Sequence, residues 1–121
     1  MNYGVLYSGN EKKIFLNRVM QTSSVLERMR GLLFREPLDE DEGLIIKKCS
    51  AIHTIGMKYP IDVIFLSEDF CIKRIFMNVR PYRFCISPGS SMVLETVSGI
   101  VKKNNILIDM FLSWEKLNEN N

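Results

Sequence analysis

Six consecutive residues, Ile61-Asp62-Val63-Ile64-Phe65-Leu66, are apolar at every position except the second. In a strand, where side chains alternate between faces, Ile61, Val63 and Phe65 fall on one side and Asp62, Ile64 and Leu66 on the other. A chain built around this segment has to cover a sheet on both sides. The residues ahead of it, from Cys49 to Pro60, are broken by His53-Thr54, Lys58 and Pro60, whereas a membrane-crossing helix needs about 20 apolar residues in a row. The stretch 49–66 therefore reads as a loop that feeds a buried strand. The only histidine, a His-Thr pair and one aspartate stand at the strand's mouth.

The remaining pattern is dominated by short apolar runs. Tyr3 to Tyr7 and Lys13 to Met20 are strand-like and are separated by the turn composition Ser8-Gly9-Asn10, which predicts a hairpin. The period then changes. Val25, Leu26, Met29, Leu32 and Leu33 form a helical stripe opened by the capping box Ser24-x-x-Glu27. On that helix Arg28, Gly31 and Arg35 share one flank, while Arg30 lies on the other. Pro37 ends it, and the acidic run Asp39 to Glu42 leads into a strand over 44–48. Further strands are expected at 71–77, 82–86, 91–97 and 106–112, with a short second helix within 99–105 and a frayed polar tail from 113 onward.

No repeat or linker interrupts this order, so residues 1–121 read as a single domain. The expected class is mainly β (α+β): an antiparallel β-sandwich or partly closed barrel with one N-terminal helix and the short second helix.

Charge and cysteine use exclude several functions. The 121 residues carry 16 Lys and Arg against 14 Asp and Glu, a net charge of +2 with pI near 8.5. That is too little for the basic footprint of a nucleic-acid protein, so no nucleic-acid partner is expected. Three cysteines, Cys49, Cys71 and Cys85, form no paired spacing and suit reduced, buried thiols. No export signal is read at the N-terminus, and the default expectation is a cytoplasmic protein without membrane insertion, monomeric or weakly dimeric.

A wider pattern joins these pieces. Thr22, Arg28, Arg30-Gly31-Leu32 and Arg35 are followed by Glu42-Gly43-Leu44, Cys49, Ile52-His53-Thr54, Met57 and Pro60-Ile61-Asp62-Val63. Later come Pro81-Tyr82-Arg83, Val93-Leu94-Glu95 and Gly99. This combination, over roughly residues 15 to 112, resembles the bacterial and archaeal family known as domain of unknown function 192. The resemblance implies a compact, mainly β fold without an assigned activity. Met20 stands where the family usually has alanine, and its Gly-Asp turn near the C-terminus appears here as Asn105 to Met110. Another branch of the family carries an aromatic pair in place of His53-Thr54, which argues against a universal catalytic histidine.

The candidate ligand-binding residues are Arg28, Arg35, His53, Thr54, Asp62 and Glu95. The arginines offer planar forks for a carboxylate or phosphate beside a close approach at Gly31. His53 could serve as base or anchor, oriented by Thr54 or Asp62. Against this stands a structural account in which the arginines tie Asp62, Glu95 or the acidic loop, and His53 is held by hydrogen bonds. Neither C-x-x-C nor H-E-x-x-H occurs, so no metal and no cofactor are expected. In Arg80-Pro81-Tyr82-Arg83-Phe84, cations alternate with aromatics, a pattern able to stack on bases or sugars. With so small a charge excess, packing of the aromatics at a strand end is the expectation.

The leading functional reading is a binding module for a small anionic or polar ligand or a peptide terminus. The alternatives are a hydrolase or lyase with His53 as base, and an assembly or accessory protein with no small-molecule site.

Overall fold

The computed structural model describes residues 2–22 and 37–117. Among the described residues nine strands and one short helix follow one another: β1 Asn2–Ser8, β2 Lys13–Thr22, β3 Glu42–Lys47, β4 Ala51–His53, β5 Ile61–Leu66, β6 Ile72–Val79, β7 Phe84–Ile86, β8 Met92–Val97, α1 Ile100–Lys103 and β9 Leu112–Lys116. Seven strands form one sheet in the order β6-β5-β8-β3-β2-β1-β9, and β4 pairs with β7 in a separate ribbon. The N-terminal helix expected around Val25 to Leu33, with Arg28 and Arg35, lies outside the described residues.

The hairpin of β1 and β2 forms as its turn composition predicts, with Ser8 opposite Lys13. The sheet is not wholly antiparallel, because β2 and β3 run parallel, with Val19 opposite Gly43 and Thr22 opposite Ile46. Parallel neighbours cannot be joined by a tight turn; β2 ends at Thr22 and β3 begins at Glu42.

β5 is buried at all six positions, as its five apolar residues require, and Asp62 is buried with them. Ile61, Val63 and Phe65 join Met20, Leu38, Leu44, Ile46, Met57, Val79, Cys85 and Val93 in one core. Ile64 and Leu66 join Leu6, Leu16, Val19, Ile45, Leu94, Ile100 and Leu112 in the other. The sheet thus has two covered faces. The first is overlaid by the β4–β7 ribbon, whose Cys85 and Ile52 turn inward, and the second by α1 and the curl of the sheet.

The sheet is not closed into a barrel. Its two edge strands, β6 and β9, share no ladder and meet only where Cys71 bridges Phe111. Around that bridge the Ile72 amide donates to the Met110 carbonyl at 2.8 Å, and the Leu112 amide to the Phe70 carbonyl at 2.9 Å.

Two expectations are corrected at the C-terminal end. The apolar run 106–112 is not a strand over most of its length, because Asn105 and Asp109 take left-handed backbone angles (φ 54° and 74°) and turn the chain twice. The last strand lies further on, at Leu112–Lys116. It pairs with β1 through Leu6 opposite Trp114, so residues 113–116 are an edge strand rather than a frayed tail. The short second helix does form, at Ile100–Lys103.

Candidate functional site

The described residues expected at one site are distributed over separate surfaces. Asp62 enters at the start of β5 opposite Thr96, on the face that carries Ile64 and α1. It is wholly buried, yet its carboxylate is saturated. One oxygen accepts from the Asn78 amide at 2.9 Å, the other from the amides of Gly99 at 3.1 Å and Val101 at 3.0 Å. The acceptor therefore holds the left-handed residue Asn78 of β6 (φ 52°) and the backbone entering α1 against β5. Charge-assisted bonds to backbone amides are among the strong ones, and three of them leave little of this carboxylate for a ligand.

Thr54 is equally occupied. Its hydroxyl donates to the Arg80 carbonyl at 2.7 Å and accepts from the Arg83 amide at 2.9 Å. Its own amide donates to the Arg83 carbonyl at 2.9 Å. With 1% of its surface exposed, Thr54 is a clamp on the 80–83 turn, where Tyr82 has a positive φ of 64°.

His53 ends β4 on the outer side of the ribbon and is exposed. Its Nδ1 accepts from the Ile55 amide at 3.3 Å, and its ring meets Phe84 edge-on with centroids 6.1 Å apart. Among the described residues no carboxylate hydrogen-bonds it. The pair of base and orienting acid that a hydrolase or lyase would use is not assembled there. Arg28 and Arg35 lie outside the described residues.

Glu95 is different. It sits in β8 opposite Leu44 of β3 and Val63 of β5, in the middle of the sheet and on the face opposite to Asp62. Burial pushes its carboxyl up to about 8 from an ordinary 4.5, so near neutral pH the group is mostly the uncharged acid. Among the described residues neither a hydrogen bond nor an ion pair compensates it. The same face holds Thr22, opposite Ile46 at the end of β2, and its buried hydroxyl has no hydrogen-bond partner among the described residues. Cys85 of the ribbon lies near enough that Glu95 adds to burial in raising its thiol pKa. One unpartnered buried hydroxyl thus shares a face with a displaced carboxyl, and a carboxyl so displaced marks a candidate functional location.

Glu95 was legible as a candidate from its place in the motif Val93-Leu94-Glu95, but Thr22 and Cys85 were not grouped with it. Strand alternation together with pairing of Thr22 to Ile46 would have put Thr22 on this face, though the parallel register was not readable from the sequence. The aromatics of 80–84 are corrected too. Instead of packing at a strand end, Tyr82 is 69% and Phe84 72% exposed. No group of three or more metal-ligating side chains occurs among the described residues, and no helix there is long and apolar enough to cross a membrane.

A sheet with two covered faces and a separate two-stranded ribbon define a class of small mainly β domain seen in other proteins. The structure is similar to a crystal structure of a candidate transcription regulator from Sinorhizobium meliloti 1021, with TM-score 0.81 and 20% identity over 94% of this chain and 96% of the other. It is also similar to a protein of unknown function from Novosphingobium aromaticivorans DSM 12444, with TM-score 0.72 and 24% identity over 92% and 84%. At these identities the likeness shows the shared fold. No curated protein matches the sequence. The family model DUF192, described as an uncharacterised ACR, matches residues 7–114, and the chain belongs to that family.

Proposed function

We propose that the protein is a binding module for a small polar or anionic ligand, or for a peptide terminus, with the Glu95 face of the sheet as its floor. One observation carries this reading: a buried carboxyl in mid-sheet, held in its uncharged form and uncompensated among the described residues. A protein keeps so costly a group where it does something. As an acid, the carboxyl donates one hydrogen bond, and it accepts others, a suitable partner for the carbonyl or carboxyl of a guest.

The chain leaves the described part at Thr22 and re-enters at Pro37 and Leu38. Thr22 lies on this face and Leu38 packs in its core. In the proposal, Arg28 and Arg35, which fall between those two points, supply the cations that hold the guest's negative charge. Asp62 and Thr54 build the frame, and His53 lies outside the floor.

The test is calorimetric titration with acetate, succinate, inorganic phosphate and a tripeptide bearing a free carboxylate, on the wild type and on Glu95→Gln, Arg28→Ala and Arg35→Ala. Saturable binding of one of these probes, weakened about tenfold or more by an arginine substitution and altered by Glu95→Gln, is the expected result. Absence of binding for all four, or binding that none of the substitutions changes, refutes the proposal.

A further inference from the structure

Two strands with an unpaired edge, β6 and β7, lie beside one another. Among the described residues β6 makes a ladder with β5 alone and β7 with β4 alone. The Ile86 carbonyl of β7 accepts from Nη1 of Arg74 on β6 at 3.3 Å, so the free edge of β7 is turned towards β6. Between them runs an open groove of about 390 Å³, lined by residues 76–80 and 83–85. Exposed apolar side chains stand in and near it: Met77 and Phe84 in its lining are 60% and 72% exposed, and Tyr82 and Ile86, next to the lining residues in sequence, 69% and 54%. Unpaired edges and exposed apolar side chains are each features that soluble proteins usually blunt or cover.

The charge of the region says what kind of occupant fits. From Phe70 to Leu94 the sequence holds Lys73, Arg74, Arg80 and Arg83 and not one aspartate or glutamate, although the whole chain is nearly balanced at 16 basic against 14 acidic. Arg80 and Arg83 are exposed and have no carboxylate partner among the described residues, where the ion pairs are Lys12 with Glu115 and Lys103 with Glu40. A second copy docking by the same groove would bring the same cations and be repelled. The rings of Tyr82 and Phe84 offer a base a stacking surface, but the chain's net charge of +2 is small for a nucleic-acid footprint, whereas Met77 and Ile86 beside open strand edges suit the alternate side chains of a strand.

We propose that the groove between β6 and β7 takes an extended acidic segment of a partner protein. Its main chain adds to the free strand edges, its apolar side chains rest on Met77 and Phe84, and its carboxylates meet Arg80 and Arg83. The groove shares Cys85 with the Glu95 face, but its test reads Arg80 and Arg83 and does not depend on that reading.

The probe is an eight-residue fluorescent peptide alternating glutamate and valine, titrated into the full chain at low and high salt. A peptide alternating glutamate and proline has the same charge but lacks half of the amide donors, and oligothymidylate represents single-stranded nucleic acid. The expected result is binding of the glutamate-valine peptide that weakens with salt, falls at least tenfold in the Arg80→Glu, Arg83→Glu double variant, and slows amide exchange at Phe84 and Ile86 and along residues 77–80 other than Asn78, whose amide is held by Asp62. The variant's circular dichroism and melting temperature are compared with those of the wild type, and Met77→Ser with Phe84→Ser gives a second, uncharged disruption expected to weaken binding as well. The proposal is overturned if the peptide fails to bind at millimolar concentration, if the proline peptide or oligothymidylate binds as tightly, or if neither pair of substitutions affects affinity.

Discussion

Two carboxylates one strand apart show how little a residue's type says about its role. Asp62 and Glu95 are both buried, on neighbouring strands β5 and β8. Three amides surround Asp62, while Glu95 meets only apolar neighbours in its register, Leu44 and Val63. The sequence placed both residues at strand positions correctly. It could not tell them apart, because the donors to Asp62 come from Asn78, Gly99 and Val101, far along the chain, and the environment of Glu95 depends on which strands flank β8.

The difference has a pH signature. In the unfolded chain Glu95 loses its proton near 4.5, and in the native state only near 8. Between those values the native state holds a proton that the unfolded state has released, so stability falls as pH rises. The contribution is complete below about pH 4.5 and is lost by about pH 8, with a total on the order of a few kcal/mol. Urea melts of the wild type and Glu95→Gln from pH 5 to 9 should show the wild type losing stability relative to the variant across this window. Parallel profiles would mean that the native carboxyl is already ionised.

At the scale of elements, Asp62 is a joint. It fastens the start of β5 to the left-handed Asn78 of β6 and to the turn into α1, whose Gly99 has φ 99°. The side chain of Ser98 donates to that of Asn78 at 2.9 Å and draws the same two elements together. Asp62→Ala leaves three amides without this acceptor, which should cost about 3 kcal/mol or more, given the usual penalty for stranding buried donors. Equilibrium urea unfolding should show the midpoint falling with an unchanged slope. A loss below about 1 kcal/mol would mean that water replaces the carboxylate readily and that the joint is not structural.

Element boundaries were legible where the local code was strong. The β1–β2 turn, the β5 run with its single polar residue and the short α1 needed no tertiary information. β4 was read as loop because a three-residue strand exists only through its partner β7, with Ile52 opposite Cys85. β9 was displaced because Ile106, Leu107 and Ile108 look like strand while the backbone there turns, leaving Leu107 and Ile108 exposed. Periodicity cannot report a left-handed residue such as Asp109, although Asn and Asp at these positions are the side chains that tolerate one.

For the molecule as a whole, the open question of sheet topology reduces to one seam. The strand order places β6 and β9 at opposite edges, yet their starting segments are hydrogen-bonded at residues 70–72 and 109–112. This curl brings Leu112, Ile72 and Ile100 into the core that also contains Leu6 and Leu94, so the two ends of the sheet share one interior despite the absence of a continuous ladder. A sheet whose edges are joined only by local turns should open there first and exchange those amides quickly. A sheet whose edges share a packed core should open there only when the core does. The burial of Ile72 and Leu112, at 0% and 4% exposure, favours the second behaviour. Native-state hydrogen exchange should therefore find the Ile72, Asp109 and Leu112 amides protected to nearly the same free energy as Ile64 in β5 and Leu94 in β8. Exchange at the rate of the exposed turn residue Gly89 would instead make the seam a local contact. The curl, and with it the placing of the β6 edge beside β7, would then be free to relax without unfolding the protein.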